Sequence, residues 1–134
     1  MSKLDEIGIK VVTPEAGSTG NALAILHEVA DAMERLVRDG ETALIDLQGL
    51  PLSPSDFELL RETLAAGEVN ARIDANGPTE VRETIYPGVW WITHHNVEGG
   101  IVADLLEVCY VPEVLKSHPD DVRDALEHLR EMLK

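Results

Sequence analysis

The middle of the chain alternates between apolar and polar residues with a period of two. The apolar positions of the first run are Val69, Ala71, Ile73 and Ala75. This period is typical of a β-strand with one buried face. Turn-forming residues at Asn76–Pro78 end the run, and a second run extends from Thr79 to Tyr86. The pattern therefore predicts two strands joined by a tight turn.

A further break at Pro87–Gly88 precedes a third apolar run, Val89–Ile92. Three consecutive strands with short connections predict an antiparallel meander. Beyond a loop, the apolar stretch Ile101–Val111 predicts a fourth strand. Two short runs outside this region also predict strands, an edge strand at Ile7–Val12 and a strand buried on both faces at Ala43–Leu47.

Three segments carry the end signals of helices. Asn21 is the predicted N-cap of the first helix and Gly40 its stop. Ser53–Asp56 reads as an N-cap, an N1 proline and an acidic N3, which predicts a second helix to about Ala66. A third helix is predicted after Ser117. The apolar stripes are Leu26, Val29, Ala30, Met33, Leu36 and Val37 in the first helix, and Val122, Ala125, Leu126, Leu129 and Met132 in the third.

Helices before and after a run of antiparallel strands predict an α+β fold. We expect an antiparallel sheet of about four to five strands, with the meander at Gly67–Val111. About three helices should pack mainly on one face, because the face that carries Arg72 is too polar to be buried. A chain of 134 residues is predicted to be a single domain, residues 1–134.

The charge is strongly acidic, with 25 acidic against 11 basic residues and a formal net charge of −14. Such a surface repels nucleic-acid backbones and anionic lipids, so neither is an expected partner. The charge serves either solubility alone or the attraction of a basic partner segment. No apolar run is long enough for membrane insertion, the N-terminus lacks the pattern of a secretory signal, and Cys109 is alone. These features predict a cytoplasmic protein.

Catalytic and metal-binding patterns are scarce. Adjacent His94 and His95 point to opposite faces of a strand and cannot hold one ion. Cys109 lies in an apolar strand, where a free cysteine usually packs as a small hydrophobe. We therefore predict no catalytic residues, no metal and no cofactor.

Two carboxylates are predicted at inward positions. Glu83 shares its strand face with apolar neighbours, and Glu107 lies in a strand that is apolar on both faces. An inward carboxylate needs a partner, for which Arg72, Arg82 or the hydroxyl of Thr84 are candidates. Three interpretations stay open: a satisfied structural contact, a general acid and base pair, or recognition of a partner.

The adjacent tryptophans form the strongest candidate for a binding surface. Neighbours on a strand face opposite ways, so one of Trp90 and Trp91 fills the core and the other lies on the opposite face, near Tyr86. An exposed aromatic group of this kind is frequent in binding surfaces. The alternative is that a helix or a second subunit covers it. The predicted partner-binding residues are Tyr86, Trp90, Trp91, Glu83 and Glu107.

Five ordered segments resemble the C-terminal conserved region of the HupH/HyaF family of hydrogenase expression/formation proteins. They are LPLSP (Leu50–Pro54), GEV (Gly67–Val69), GPTEVRET (Gly77–Thr84), PGVWW (Pro87–Trp91) and LEVCYVP (Leu106–Pro112). Family members are often about twice as long, with an additional N-terminal half, whose role is not transferred.

The resemblance implies an accessory, chaperone-like protein that helps to mature a nickel–iron uptake hydrogenase. The implied partner is the iron–sulfur small subunit or its precursor, or another maturation protein. Such small subunits carry a twin-arginine signal peptide, which an acidic protein could attract. The alternatives are a small enzyme that uses Glu83 and Glu107, and a structural oligomerisation module; a homodimer is compatible with the sequence.

Overall fold

The alternating centre of the chain forms an antiparallel sheet in the computed structural model, which describes residues 19–134. Its strands are β1 (Ala43–Asp46), β2 (Asn70–Asp74), β3 (Pro78–Glu83), β4 (Val89–His95) and β5 (Ile101–Val108). Their order across the sheet is β1-β5-β4-β3-β2, and every neighbouring pair is antiparallel. The predicted meander and the α+β class are confirmed. The edge strand predicted at Ile7–Val12 lies outside the described residues.

Three α-helices accompany the sheet: α1 (Asn21–Asp39), α2 (Pro54–Leu64) and α3 (Pro119–Met132). A 3₁₀ turn at Glu113–Leu115 precedes α3. Gly40 ends α1 in a left-handed conformation, as predicted. The prediction for its start was wrong, because Gly20 is the N-cap and the side-chain amide of Asn21 donates instead to the carbonyl of Pro51 at 2.8 Å.

The main core lies between one face of the sheet and helices α1 and α2. Its sheet side comes from β1, β4 and β5, and its helix side from α1 and α2. The predicted stripe of α1 is displaced, because Val37 is 80% exposed while Ala22, Ile25 and Ala32 are buried. Leu36 and Val29 are buried as predicted. The helix therefore has two apolar sides, one in the core and one that stays open.

A second, smaller cluster occupies the opposite face of the sheet. Val81, Trp90, Ile92 and Cys109 are its buried members, and Leu115 of the 3₁₀ turn packs against them. The edge position of β1 corrects a prediction, because Leu44 is 62% exposed and only one face of this strand is buried. A strand at the edge of a sheet has a neighbour on one side only, and no element of the described chain covers Leu44.

Helix α3 forms as predicted but does not pack as predicted. None of its residues is buried. Its predicted apolar side is exposed, with Val122 at 54%, Leu126 at 45% and Leu129 at 57%. Of the three helices, only α1 and α2 therefore cover the sheet. They lie on the face that carries Arg72, which was predicted to stay open.

The capping box at the start of α2 ties two helices together. Ser53 and Asp56 cap each other reciprocally, as the sequence predicts. Asp56 is completely buried and also accepts hydrogen bonds from the backbone N–H and hydroxyl of Thr19, at 3.2 and 2.6 Å. One carboxylate thus joins the start of α2 to the segment that enters α1.

We predict that Asp56→Asn lowers the free energy of unfolding by about 2–3 kcal/mol, because an amide replaces an acceptor oxygen at a buried site that receives several donors. Urea denaturation measures the change. Asp31→Asn, the same substitution at an exposed position of α1, should stay within about 0.5 kcal/mol of the parent. Equal stability of the two variants would contradict this role of Asp56.

Candidate functional site

The two tryptophans lie on opposite faces of β4, and both are buried. Trp90 is 6% exposed and Trp91 is 8% exposed. The indole N–H of Trp90 donates to the carbonyl of Cys109 at 3.3 Å, and that of Trp91 donates to Asp104 Oδ1 at 2.6 Å. Opposite orientation was predicted correctly. The expected exposed indole was wrong, because the small cluster around Val81 and Leu115 covers Trp90.

Glu83 and Glu107 flank Trp90 on the same face of the sheet. The register places Glu83 of β3 and Glu107 of β5 directly opposite Trp90. The backbones of the two residues are therefore two strand spacings apart, roughly 10 Å, with Trp90 between them. The position of the indole disfavours a paired acid and base.

The partners suggested for Glu83 have other contacts. Arg72 pairs with Asp74 at 2.8 Å, Arg82 donates to Thr93 at 2.9 Å, and the hydroxyl of Thr84 donates to the carbonyl of Tyr86 at 3.2 Å. Glu107 accepts a long hydrogen bond from the backbone N–H of Glu113, at 3.5 Å. The interpretation of Glu107 as a structural contact at the 3₁₀ turn agrees with this bond.

Cys109 is buried at the end of β5. Burial raises the pKa of its thiol to about 12, and the neighbouring carboxylate of Glu107 adds to the shift. The thiol is therefore protonated at neutral pH, which disfavours nucleophilic or redox chemistry at this position.

The histidines at the end of β4 make separate contacts. His94 Nδ1 lies 2.7 Å from the hydroxyl of Thr79, and His95 Nδ1 lies 3.4 Å from the carbonyl of Gly99. Within residues 19–134, no three His, Cys, Asp or Glu side chains converge in a way that could hold a metal ion.

An apolar groove of about 440 Å³ runs between α1 and α2. We call it the α1/α2 groove. It contains Tyr86, the one predicted site residue that is neither buried nor beside Trp90. Its other lining residues are Leu23, Leu26, His27, Val29, Ala30 and Met33 of α1, and Thr63 and Leu64 of α2. The open apolar side of α1 forms most of this wall.

Acidic residues border the α1/α2 groove. Asp31 and Glu34 follow the lining residues His27 and Ala30 by four positions, so they continue the same side of α1. Both are exposed, as is Glu62 beside the lining residue Thr63. The groove thus combines an apolar floor with negative charge at its margin.

A second cavity, of about 450 Å³, opens beside Trp91 on the same face of the sheet. We call it the polar cavity. A chain of hydrogen bonds lines it: Arg82 donates to the hydroxyl of Thr93 at 2.9 Å, which donates to Asp104 Oδ1 at 2.8 Å. Trp91 donates to the same carboxylate oxygen. Its lining residues are Arg61, Ala65, Ala66, Glu80, Arg82, Thr84, Trp91, Thr93, His95, Ile101 and Asp104.

The chain leaves α2 along the wall of the polar cavity. Ala65 has a φ of 51° and a ψ of −168°, a conformation that costs a non-glycine residue about 1–3 kcal/mol. Gly67 then passes against β3, where a Cβ atom would collide with the carbonyl of Thr84.

Sequence reasoning missed the polar cavity. Alternation along β3 and β4 could have placed Arg82, Trp91 and Thr93 on one face, but the register with Asp104 was needed to complete it.

None of the helices in the described part of the chain is both long and apolar enough to cross a bilayer.

Comparisons with known proteins agree with the resemblance seen in the sequence. The family model described as HupH hydrogenase expression protein, C-terminal conserved region, matches residues 19–134. A hydrogenase expression protein HupH from Thiobacillus denitrificans ATCC 25259, whose structure is solved, superposes with a TM-score of 0.83 at 41% identity. The superposition covers 87% of this chain and 98% of that one.

Curated relatives carry related names. The hydrogenase expression/formation protein HupH of Rhizobium leguminosarum bv. viciae is 32% identical over 120 residues, which cover 89% of this chain and 42% of that protein. The hydrogenase expression/formation protein HoxQ of Azotobacter vinelandii is 33% identical over 117 residues, which cover 84% and 40%. The hydrogenase-1 operon protein HyaF of Escherichia coli K12 is 25% identical over 122 residues, which cover 91% and 42%. The chain thus spans about two fifths of the length of these relatives.

We predict that Cys109 reacts at least about a hundredfold more slowly with a thiol reagent at pH 8 in the native protein than in urea, because the raised pKa removes the reactive thiolate. The chain has one cysteine, so the colour released by a disulfide reagent reports this site alone. Equal rates in the two states would show that the thiol is exposed.

Proposed function

The chain belongs to the HupH family of hydrogenase expression proteins, and from this premise we propose that it assists the maturation of a nickel–iron uptake hydrogenase. The match extends over residues 19–134, and a solved HupH protein shares the fold along nearly its whole length. The proposal concerns only the region that the chain shares with its longer relatives.

We propose an accessory role through binding rather than catalysis. The expression/formation names of the relatives support it. Glu83 and Glu107 are separated by Trp90, and the thiol of Cys109 is held in its protonated form. These observations weaken the alternative of a small enzyme that uses two carboxylates.

The α1/α2 groove is the observation that carries the binding proposal. It is the more apolar of the two cavities, and Tyr86 contributes an aromatic side chain to it. Aromatic side chains next to an apolar floor are common at the energetic centre of protein interfaces. Among the predicted binding residues, the groove therefore favours Tyr86, while roles for Trp90, Trp91, Glu83 and Glu107 stay predictions.

The negative charge of the chain favours a basic client at this groove. Acidic residues border it, and the whole chain carries a net charge of −14. A segment with both basic and apolar residues would place its cations against Asp31, Glu34 and Glu62 and its apolar side chains on the floor. The signal-peptide region of a hydrogenase small-subunit precursor has this composition, so we propose it as the client. Binding would take place in the cytoplasm, before export.

The expected complex is transient. Each apolar side chain that a client buries contributes about 1.5–3 kcal/mol, and association and ordering cost several kcal/mol. A groove of this size receives only a few such side chains. A second copy of the chain could also bind, and the exposed apolar side of α3 is available for such a homodimer.

We predict that Ala30→Lys weakens binding of a peptide with the small-subunit signal sequence by about tenfold, because the lysine fills the groove. Ala24→Lys is the matched control, since it places the same charge at an exposed alanine of the same helix outside the groove lining. Fluorescence anisotropy with a labelled peptide measures both. Thermal melts establish that the variants are folded.

Binding of the same peptide to the parent protein should weaken between low salt and about 0.5 M salt, because screening removes the attraction of surface charges. Equal effects of the two lysine variants would exclude the α1/α2 groove as the contact surface. No binding at low salt would exclude this client and leave family membership unchanged.

A further inference from the structure

We propose that the polar cavity is a binding site for an amide group, either the side chain of asparagine or glutamine or the main chain of an extended peptide residue. The site is separate from the α1/α2 groove, and the inference does not depend on the identity of the hydrogenase client. It rests on which polar atoms of the cavity wall are already paired and which are left over.

Most polar groups on the wall are satisfied. The hydroxyl of Thr93 accepts from Arg82 and donates to Asp104 Oδ1, so its donor is used. Asp104 Oδ1 accepts from both Thr93 and Trp91. The hydroxyl of Thr84 donates to the carbonyl of Tyr86 and accepts from its N–H. None of these groups needs a ligand.

Two neighbouring groups have capacity left. Arg82 uses one N–H for Thr93, its distance of 4.0 Å from Glu80 is too long for a hydrogen bond, and its buried Nε has no partner in the described structure. Asp104 is 9% exposed, and both of its side-chain hydrogen bonds use Oδ1. A guanidinium donor and a carboxylate acceptor thus stand on either side of Thr93. Arg82 lines the cavity, so an acceptor supplied by a ligand there would bond to one of its remaining Nη N–H groups.

A ligand that pairs with both groups must offer an acceptor to Arg82 and a donor to Asp104. A primary amide presents its carbonyl and one N–H on the same edge, and so does one residue of an extended peptide. A carboxylate offers acceptors only, and an ammonium or guanidinium group offers donors only. Of these groups, only an amide supplies an acceptor to Arg82 and a donor to Asp104 from one planar edge.

The charge of the lining favours a neutral ligand. Arg61 and Arg82 are balanced by Glu80 and Asp104, so the cavity has no formal net charge. The two arginines disfavour a bound cation, and the net charge of −14 on the chain disfavours a free anion. Trp91, Ile101 and the alanines that follow α2 provide apolar wall. A cavity of about 450 Å³ is large enough for a small molecule or a few residues.

The test uses the two indole N–H resonances of the ¹⁵N-labelled protein. Trp91 donates to Asp104 at the cavity, whereas Trp90 donates to Cys109 on the opposite face and serves as an internal control. Trp90→Phe assigns the two signals. The titrated compounds are propionamide, which has a primary amide, N-acetylglycine N-methylamide, which has an extended main chain, and acetate and guanidinium as charged controls.

We expect an amide to move the Trp91 resonance and leave Trp90 in place, with a dissociation constant on the order of 10 mM for so small a compound. A shift with propionamide identifies side-chain amides as the ligand, and a shift with only the glycine derivative identifies the main chain. The proposal fails if acetate or guanidinium shifts the Trp91 resonance as much as the amides do. It also fails if no compound shifts this resonance even at concentrations far above the expected dissociation constant.

Variants separate binding from folding. Arg82→Met should weaken amide binding by at least about tenfold, while Arg72→Met, at an exposed arginine of β2 outside the cavity, should leave it unchanged. Ala66→Phe places a ring at an exposed lining position and should abolish the shift without affecting the fold, so it tests the cavity even if Arg82→Met does not fold. Unchanged binding in Ala66→Phe would overturn the proposal.

Discussion

Strand β4 is buried on both of its faces, and the elements around it are arranged to cover it. Trp90 and Trp91 follow one another along this strand, so two large indoles must be covered from opposite sides. Each also carries an N–H that needs an acceptor when it is buried. Both acceptors belong to the neighbouring strand β5 or its end: Asp104 lies within β5, and Cys109 directly follows it. The pairing of β4 with β5 therefore satisfies the polar ends of the indoles as well as the backbone.

The two indoles are covered by different elements. Both cavities lie on the face that helices α1 and α2 cover. Helices α1 and α2 cover the Trp91 side, while the smaller cluster with Leu115 covers Trp90. Openings remain on each side of α2. The α1/α2 groove and the polar cavity are joined by a short link, because Thr84 lines the cavity and its hydroxyl binds the main chain of Tyr86 in the groove.

Local patterns predicted the elements of this fold well and their environment less well. Alternation located the meander, and the capping box at Ser53 located α2. The same patterns give the direction of a side chain but not what covers it. Alternation placed the tryptophans on opposite faces correctly, yet could not show that Leu115, 25 positions after Trp90, packs near it. The polar cavity was missed for a similar reason, since Asp104 meets Thr93 only through the register of β4 and β5.

Helices α1 and α3 show that an amphipathic pattern does not predict whether the apolar side of a helix is buried. Both have an apolar side, but that of α1 is wide enough to enter the core and still form the wall of a groove, whereas that of α3 is wholly exposed. An apolar stripe lowers the free energy of a fold only when another surface removes it from water. Ala30 and Met33 line a groove because α2 and Tyr86 lie opposite them. The stripe of α3 has no such neighbour in the described chain. An apolar binding surface consists of apolar positions that the fold leaves exposed, so it can be recognised only once the packing of the other apolar positions is known.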